Sequence, residues 1–79
     1  MLSNLQSLKN SGYEIVMSID AILLDNRTSG NHSVTFIGNY KDSGNGNVSF
    51  KVQSWGKEMT INATKEDFKQ YYNGATWGK

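Results

Sequence analysis

The sequence predicts a small α+β domain, in which an antiparallel sheet is accompanied by an N-terminal and a C-terminal helix. Three observations support this fold class: apolar residues alternate along several short segments, helical spacing occurs near both ends, and turns rich in Gly and Asn separate the segments. The chain has 79 residues, which suits one domain over residues 1–79 with a single core.

The first predicted elements are a helix and a strand. Leu2–Lys9 has leucines at every third position and predicts a short amphipathic helix, and Gly12 suits a left-handed C-cap after it. Glu14–Asp20 is predicted to be a strand because large apolar residues occupy alternate positions; the positions between them are not strongly polar, which indicates an interior strand buried on both faces. Ala21–Leu24 either extends the strand or forms a helical turn, and Asp25–Asn31 has loop composition.

A β-hairpin is predicted in the middle of the chain. Its strands are His32–Tyr40 and Val48–Trp55, and the connecting segment Lys41–Asn47 has the strongest turn composition in the sequence. The dipeptide at residues 56–57 then turns the chain into a short further strand, Glu58–Asn62. The sequence therefore predicts four strands in all.

The last predicted element is a helix over Lys65–Tyr72. Thr64 precedes it as an N-cap, and Asp67 lies three residues later in an approximate capping box. Three aromatic residues at helical spacing are predicted to form its buried face: Phe68, Tyr71 and Tyr72. The tail Ala75–Lys79 is assigned to no element, and its Trp77 is expected to pack back on the sheet.

Composition excludes several classes of function. A formal net charge of +1 implies neither nucleic acid nor an anionic membrane as a partner. The chain has no cysteine, so it has no disulfide and no thiolate metal site, and no His, Asp and Glu cluster has metal-ligand spacing. No cofactor is expected.

Composition also bears on source and location. Gly and Asn form the turns in a chain without proline, which favours a bacterial or phage origin. No signal peptide and no bilayer-spanning run are visible, so the expected location is the bacterial cytoplasm or the outside by a signal-independent route.

Two short motifs place polar side chains at strand ends. The first is NHSVTFIG at residues 31–38, and the second is VQSWG at residues 52–56. His32 begins one predicted strand, and Gln53 and Trp55 stand at the end of its hairpin partner. These three residues are the candidate catalytic residues.

The order of these segments resembles the C-terminal, histidine-bearing half of papain-like cysteine peptidases. In that family a helix leads into a Val-Ser-Val-Ala-Ile-Asp-Ala type of strand, and a His-Ala-Val strand and a Lys-Asn-Ser-Trp-Gly segment follow. Here a helix leads into IVMSIDA at residues 15–21, then NHSV and QSWG. The end of the chain is more similar to bacterial relatives that process bacteriocins or act as toxins or effectors. The resemblance spans residues 7–72 and depends on short motifs.

The resemblance implies thiol-mediated hydrolysis of peptide or amide bonds by a complete enzyme. His32 would be its base and acid, Gln53 would orient the ring, and Trp55 would shield that hydrogen bond. Gln53 departs from the family's Asn or Asp by a longer side chain. Because the nucleophilic cysteine is absent, the chain alone is expected to be inactive. The expected partner is a cysteine-bearing half or another protein, and self-association through an exposed apolar patch near His32 and Trp55 is a further expectation.

Other interpretations remain open. The second interpretation is a non-catalytic interaction, immunity or regulatory module on a degenerate peptidase scaffold, and the third is an unrelated α+β domain. A single histidine at a strand start is by default a surface turn residue, and Trp55 can be core. Asp42 is a weaker alternative partner for His32, whereas Asp20 and Asp25 suit turns or caps better than a carboxylate pair. The distinguishing expectation is spatial: the His32 ring and the Gln53 carboxamide should meet beneath Trp55.

Overall fold

The computed structural model describes residues 2–25 and 27–79. These ranges contain two α-helices, one turn of 3-10 helix and five strands. In chain order the elements are α1 (Leu2–Asn10), β1 (Glu14–Asp20), the 3-10 turn (Ala21–Leu23), β2 (Asn31–Asp42), β3 (Asn47–Ser54), β4 (Lys57–Thr64), α2 (Lys65–Tyr71) and β5 (Tyr72–Gly78). The predicted α+β class with an antiparallel sheet and a helix near each end is confirmed. Neither helix of the described ranges has the length and apolar character that crossing a bilayer requires.

The strands form one sheet in the order β4-β3-β2-β1-β5, and every neighbouring pair is antiparallel. Strands β4 and β5 therefore form opposite edges of the sheet. Helix α2 lies between them in sequence, so the chain crosses from one edge to the other through this helix.

Alternation along the strands buries one face of the sheet. The core contains side chains from β1 to β4 together with residues of α1 and α2, among them Ile15, Met17, Phe36, Phe50 and Phe68. The Phe50 and Phe68 rings meet edge to face with centroids 5.6 Å apart, which joins α2 to the sheet. The opposite face is more open, and Val16 of β1 is 45% exposed. Strand β1 is interior as predicted, but the expected burial of both its faces is wrong because Glu14 and Val16 on the second face are exposed.

The fifth strand was not predicted. The predicted tail Ala75–Lys79 and the last residue of the predicted helix, Tyr72, belong largely to β5, which pairs with β1 from Glu14 to Ile19. The segment Asn-Gly-Ala-Thr has little strand character of its own, so its conformation depends on the edge that β1 offers. Trp77 pairs with Ile15 within the sheet and remains 55% exposed.

Most other boundaries agree with the sequence. Gly12 has φ 91°, as its C-cap role requires, and the Thr64 Oγ1 atom accepts a hydrogen bond from the Asp67 amide at the start of α2. The alternative of a helical turn after β1 is the one observed. The predicted loop Asp25–Asn31 includes Asn26, which lies outside the described residues, and β2 already begins at its last residue.

Both hairpin turns are shifted from their predicted places. The strands of the first hairpin extend further than predicted, which shortens its loop to residues 43–46. In the second hairpin, Ser54 pairs with Lys57, so the turn consists of Trp55 and Gly56 rather than residues 56–57. Both turn residues have positive φ, 52° and 74°, as a two-residue type I′ turn requires. Trp55 therefore leaves the strand and enters the turn.

Candidate functional site

The sheet brings the two motifs to the same end of the molecule. Strand β2 begins with the first motif, and β3 runs antiparallel to it and ends with the second. Thr35 of β2 pairs with Gln53 of β3, so the residues that precede Thr35 lie beside those that follow Gln53. His32 itself pairs with Ile19 of β1 on its other side.

His32 contacts Ser54 at this end of the sheet. The His32 Nε2 atom and the Ser54 Oγ atom are 2.7 Å apart, within hydrogen-bond distance. His32 is in phase with the buried Val34 and Ser54 is in phase with the buried Val52, so both side chains are on the covered face. Ser54 is 4% exposed, and among residues 2–25 and 27–79 it is the one polar residue that is buried.

The Trp55 indole also contacts the His32 ring. The two ring centroids are 4.5 Å apart and the ring planes are inclined by 41°. The indole is nevertheless 71% exposed, so one of its faces remains open to solvent or to a partner. Trp55 is thus neither a core residue nor an isolated surface residue.

Gln53 is not brought to His32. It immediately precedes Ser54 on β3, and successive strand residues point to opposite faces, so its exposed side chain lies on the open face of the sheet. Its cross-strand neighbours there are Thr35 and Glu58. The predicted meeting of the His32 ring with the Gln53 carboxamide is therefore not formed, and Ser54 takes the place expected of Gln53.

The alternation of residues could have identified Ser54. Along β3 the apolar positions Val48, Phe50 and Val52 are even-numbered, and Ser54 continues that series. The resemblance pointed instead to Gln53 because it aligns with an amide position in the motif. Strand periodicity is the stronger criterion here, because it depends on backbone geometry and not on residue type.

A second polar contact group lies next to His32. Asn31 accepts hydrogen bonds at Oδ1 from the Ser18 hydroxyl at 2.8 Å and from the Asn73 amide at 2.9 Å. These bonds join β1, β2 and β5 at the site end of the sheet. They anchor the first residue of β2 directly before the histidine.

Ser54 and His32 are residue types that can form a nucleophile and its activating base, but the Ser54 hydroxyl is not accessible to a substrate. A serine nucleophile must reach a substrate carbonyl carbon, and Ser54 is covered at 4% exposure. The His32 Nδ1 atom, by contrast, has no hydrogen-bond partner among residues 2–25 and 27–79. The reactive atom that this arrangement can offer is therefore a ring nitrogen of His32.

The acidic residues considered as alternatives serve other contacts. Asp20 accepts hydrogen bonds from the amides of Ile22 and Gly30, so it caps the 3-10 turn as the turn interpretation predicts. Asp25 likewise contacts Arg27, whose side chain lowers the pKa of the Asp25 carboxyl.

Asp42 lies at the other end of β2 from His32 and is not its partner. Its carboxylate contacts the Lys65 ammonium at 2.8 Å, and this hydrogen bond holds the pKa of Asp42 below its ordinary value. The residues of the described ranges contain no group of three or more His, Asp or Glu side chains that could bind a metal ion.

One open depression of the surface lies away from His32. An open depression of about 880 Å³ lies at the far end of the sheet, between the β2–β3 loop and the start of α2. Its lining includes Asp42 and Asp67 but not His32, Ser54 or Trp55.

Comparisons of the chain with models of protein families, with curated proteins and with solved structures gave no match.

Proposed function

We propose that this chain is the histidine-bearing half of a papain-like cysteine peptidase, and that it has no hydrolase activity by itself. The observation that supports the proposal is that the His32 ring contacts both the Ser54 hydroxyl and the Trp55 indole at one end of the sheet. The two motifs that suggested the family are thus in contact, although the contact uses Ser54 and not Gln53.

In this proposal the nucleophile comes from a second polypeptide segment that contains a cysteine. His32 takes the proton of that thiol and later returns it to the leaving amine. Ser54 restrains the ring through Nε2, and Trp55 covers one side of it. The exposed face of Trp55, at 71% exposure for the residue, is the surface that the cysteine-bearing half would cover.

The first test is an activity assay of the isolated chain. We expect no turnover of peptide or amide substrates, because the sequence contains no cysteine. A thiol-directed inhibitor and the His32→Ala variant are the controls. Turnover that resists the inhibitor and disappears in His32→Ala would contradict the proposal.

The second test supplies the missing half. The reading frame beside this coding sequence is examined for a cysteine-bearing segment, and that segment is produced together with the chain. We expect thiol-dependent turnover that His32→Ala lowers by about 10²- to 10⁴-fold, the usual contribution of a general acid–base. Equal activity of the wild-type and His32→Ala pairs would exclude a catalytic role of His32.

A non-catalytic binding module on the same scaffold is the second candidate. The observation that favours it is the position of Gln53 on the open face of the sheet. In that position the Gln53 amide does not orient the His32 ring, as the corresponding amide of a peptidase would. A module of this kind would use the exposed Trp55 for binding and would not need His32 chemistry. In a complex with the partner, we expect Trp55→Ala to weaken binding while His32→Ala leaves any associated activity unchanged.

A further inference from the structure

Ser54 has a hydroxyl proton that needs an acceptor. The residue is 4% exposed, and within residues 2–25 and 27–79 its side chain has one hydrogen-bond partner, the His32 Nε2 atom at 2.7 Å. A hydroxyl can donate one hydrogen bond and accept others. A buried donor without an acceptor is unfavourable, whereas an unused lone pair of the same oxygen is tolerated more easily.

The two neutral tautomers of His32 treat this proton differently. When Nδ1 carries the ring proton, Nε2 accepts the hydrogen bond of the Ser54 hydroxyl and the buried donor is satisfied. When Nε2 carries the ring proton, it must donate to the Ser54 oxygen, and the hydroxyl proton has no acceptor among the described residues. The first arrangement therefore satisfies both groups, and the second satisfies only one.

We infer that Ser54 is a positioning residue that keeps neutral His32 in the Nδ1–H tautomer. A carboxylate or a carbonyl oxygen can only accept a hydrogen bond, so in the same place it would select the Nε2–H tautomer and leave Nδ1 free as a base. The replacement of such an acceptor by a buried hydroxyl reverses the selection.

The inference concerns the isolated chain and does not depend on the proposed function. It changes what His32 presents at its second nitrogen, which becomes a hydrogen-bond donor. The group that suits this nitrogen on an approaching partner is an acceptor, such as a peptide carbonyl or a carboxylate. Nδ1 could accept a proton from a thiol only in the other neutral tautomer, in which the ring proton is on Nε2 and is donated to the Ser54 oxygen.

The test is a measurement of the ring nitrogens by NMR on the ¹⁵N-labelled chain. The sequence has a single histidine, so the ring signals need no assignment among several residues. The spectra are recorded at alkaline pH, where a histidine ring is neutral. We expect the chemical shift of a protonated nitrogen at Nδ1 and of an unprotonated one at Nε2, with a population ratio of about fivefold or more.

Two variants and a control separate this role from a merely structural one. Ser54→Ala removes the donor, and we expect the ring to shift toward the Nε2–H tautomer that solvated imidazole side chains prefer. Ser54→Thr keeps a hydroxyl and should keep the wild-type tautomer, while Gln53→Ala on the opposite face should change nothing. The dispersion of the amide spectrum reports whether each variant is folded.

A wild-type ring that is mainly in the Nε2–H form would overturn the inference, as would an unchanged ratio in folded Ser54→Ala. If Ser54→Ala or Ser54→Thr does not fold, the wild-type ratio decides the question alone. Hydrolase activity measured with a cysteine-bearing segment tests the proposed function. Its outcome does not change the tautomer that NMR finds in the isolated chain.

Discussion

Trp55 occupies a backbone conformation that suits small residues better. It is the first residue of the two-residue turn between β3 and β4 and has φ 52°. Such turns favour Asn-Gly, and a left-handed conformation at a bulky residue costs about 1–3 kcal/mol. The ring contact with His32 contributes about 0.5–1.5 kcal/mol, which at the middle of both ranges offsets about half of that cost. The turn itself therefore favours a smaller residue than tryptophan at this position.

Replacement of Trp55 by asparagine should stabilise the isolated chain. Asn suits the type I′ turn and relieves the backbone strain, although the variant loses the ring contact with His32. We expect a net rise of about 0.5–1 kcal/mol in the free energy of unfolding, measured by urea denaturation. Trp55→Ala is the matched control: it loses the same contact but relieves less strain, so its stability should fall below that of Trp55→Asn. An asparagine variant that is less stable than the alanine variant would contradict this account.

At the scale of residues, the sequence pointed to two of the three contacting side chains. His32 and Trp55 follow from their motifs, and the structure places them together. The third, Ser54, was missed because the motif resemblance selected its neighbour Gln53. A difference of one position reverses the face of the sheet, so a motif without its strand phase names the wrong side chain. That His32, Gln53 or Trp55 acts in catalysis stays a prediction.

At the scale of elements, Gln6 joins α1 to an irregular part of β2. Register shifts occur around Gly38, which has φ 114°, and Asn39, which has φ 55°. The Gln6 Oε1 atom accepts the hydrogen bond of the partly buried Tyr40 amide at 2.8 Å. A side chain on Gly38 would approach the Gln6 amide to 3.1 Å, so the glycine also leaves room for this contact. The helix therefore satisfies a backbone donor that the interrupted ladder leaves unpaired.

Removal of this contact should weaken the fold. We expect Gln6→Ala to lower the free energy of unfolding by about 1–3 kcal/mol, because the Tyr40 amide loses its acceptor in a partly buried place. Asn10→Ala is the control, since Asn10 contacts only the exposed side of the Gln6 amide at 3.0 Å and its loss should change stability by about 0.5 kcal/mol or less. Equal effects of the two substitutions in chemical denaturation would contradict the assigned role.

Elements with their own local signals could be predicted, and β5 could not. The leucine spacing of α1, the alternation of β1 and the Thr64 cap of α2 all depend on residues within the element itself. Strand β5 contains Asn73, Gly74 and Ala75, which favour no strand when considered alone. It forms because its backbone pairs with β1, a segment more than fifty positions earlier in the chain.

At the scale of the whole molecule, β5 follows α2 directly and forms the edge of the sheet next to β1. It covers the edge of β1, and its first residue, Tyr72, stacks on Phe68 with ring centroids 4.9 Å apart. Phe68 is 6% exposed and belongs to the core cluster. The last strand therefore contributes both to the sheet and to the cover of the core.

Deletion of residues 72–79 should abolish the cooperative fold or cause association. The deletion exposes the edge of β1 and removes the stacking partner of Phe68, so an unpaired strand edge and apolar surface appear together. Thermal unfolding and size-exclusion chromatography measure the two results, and deletion of residue 79 alone is the control. A shortened chain that stays monomeric and unfolds cooperatively at the wild-type temperature would contradict the role of β5.

The sequence by itself determined the fold class, the order of its first elements and the two motifs, because strand alternation, helix caps and turn composition act over a few neighbouring residues. Only the tertiary structure decided that the last segment is a strand at the edge of β1, and that Ser54, which the alternation along β3 already assigns to the covered face, touches His32. Both outcomes depend on pairing between distant strands. The face of each side chain follows from alternation within its own strand, whereas the residues that lie side by side on two strands are set by their register, which no single segment specifies alone.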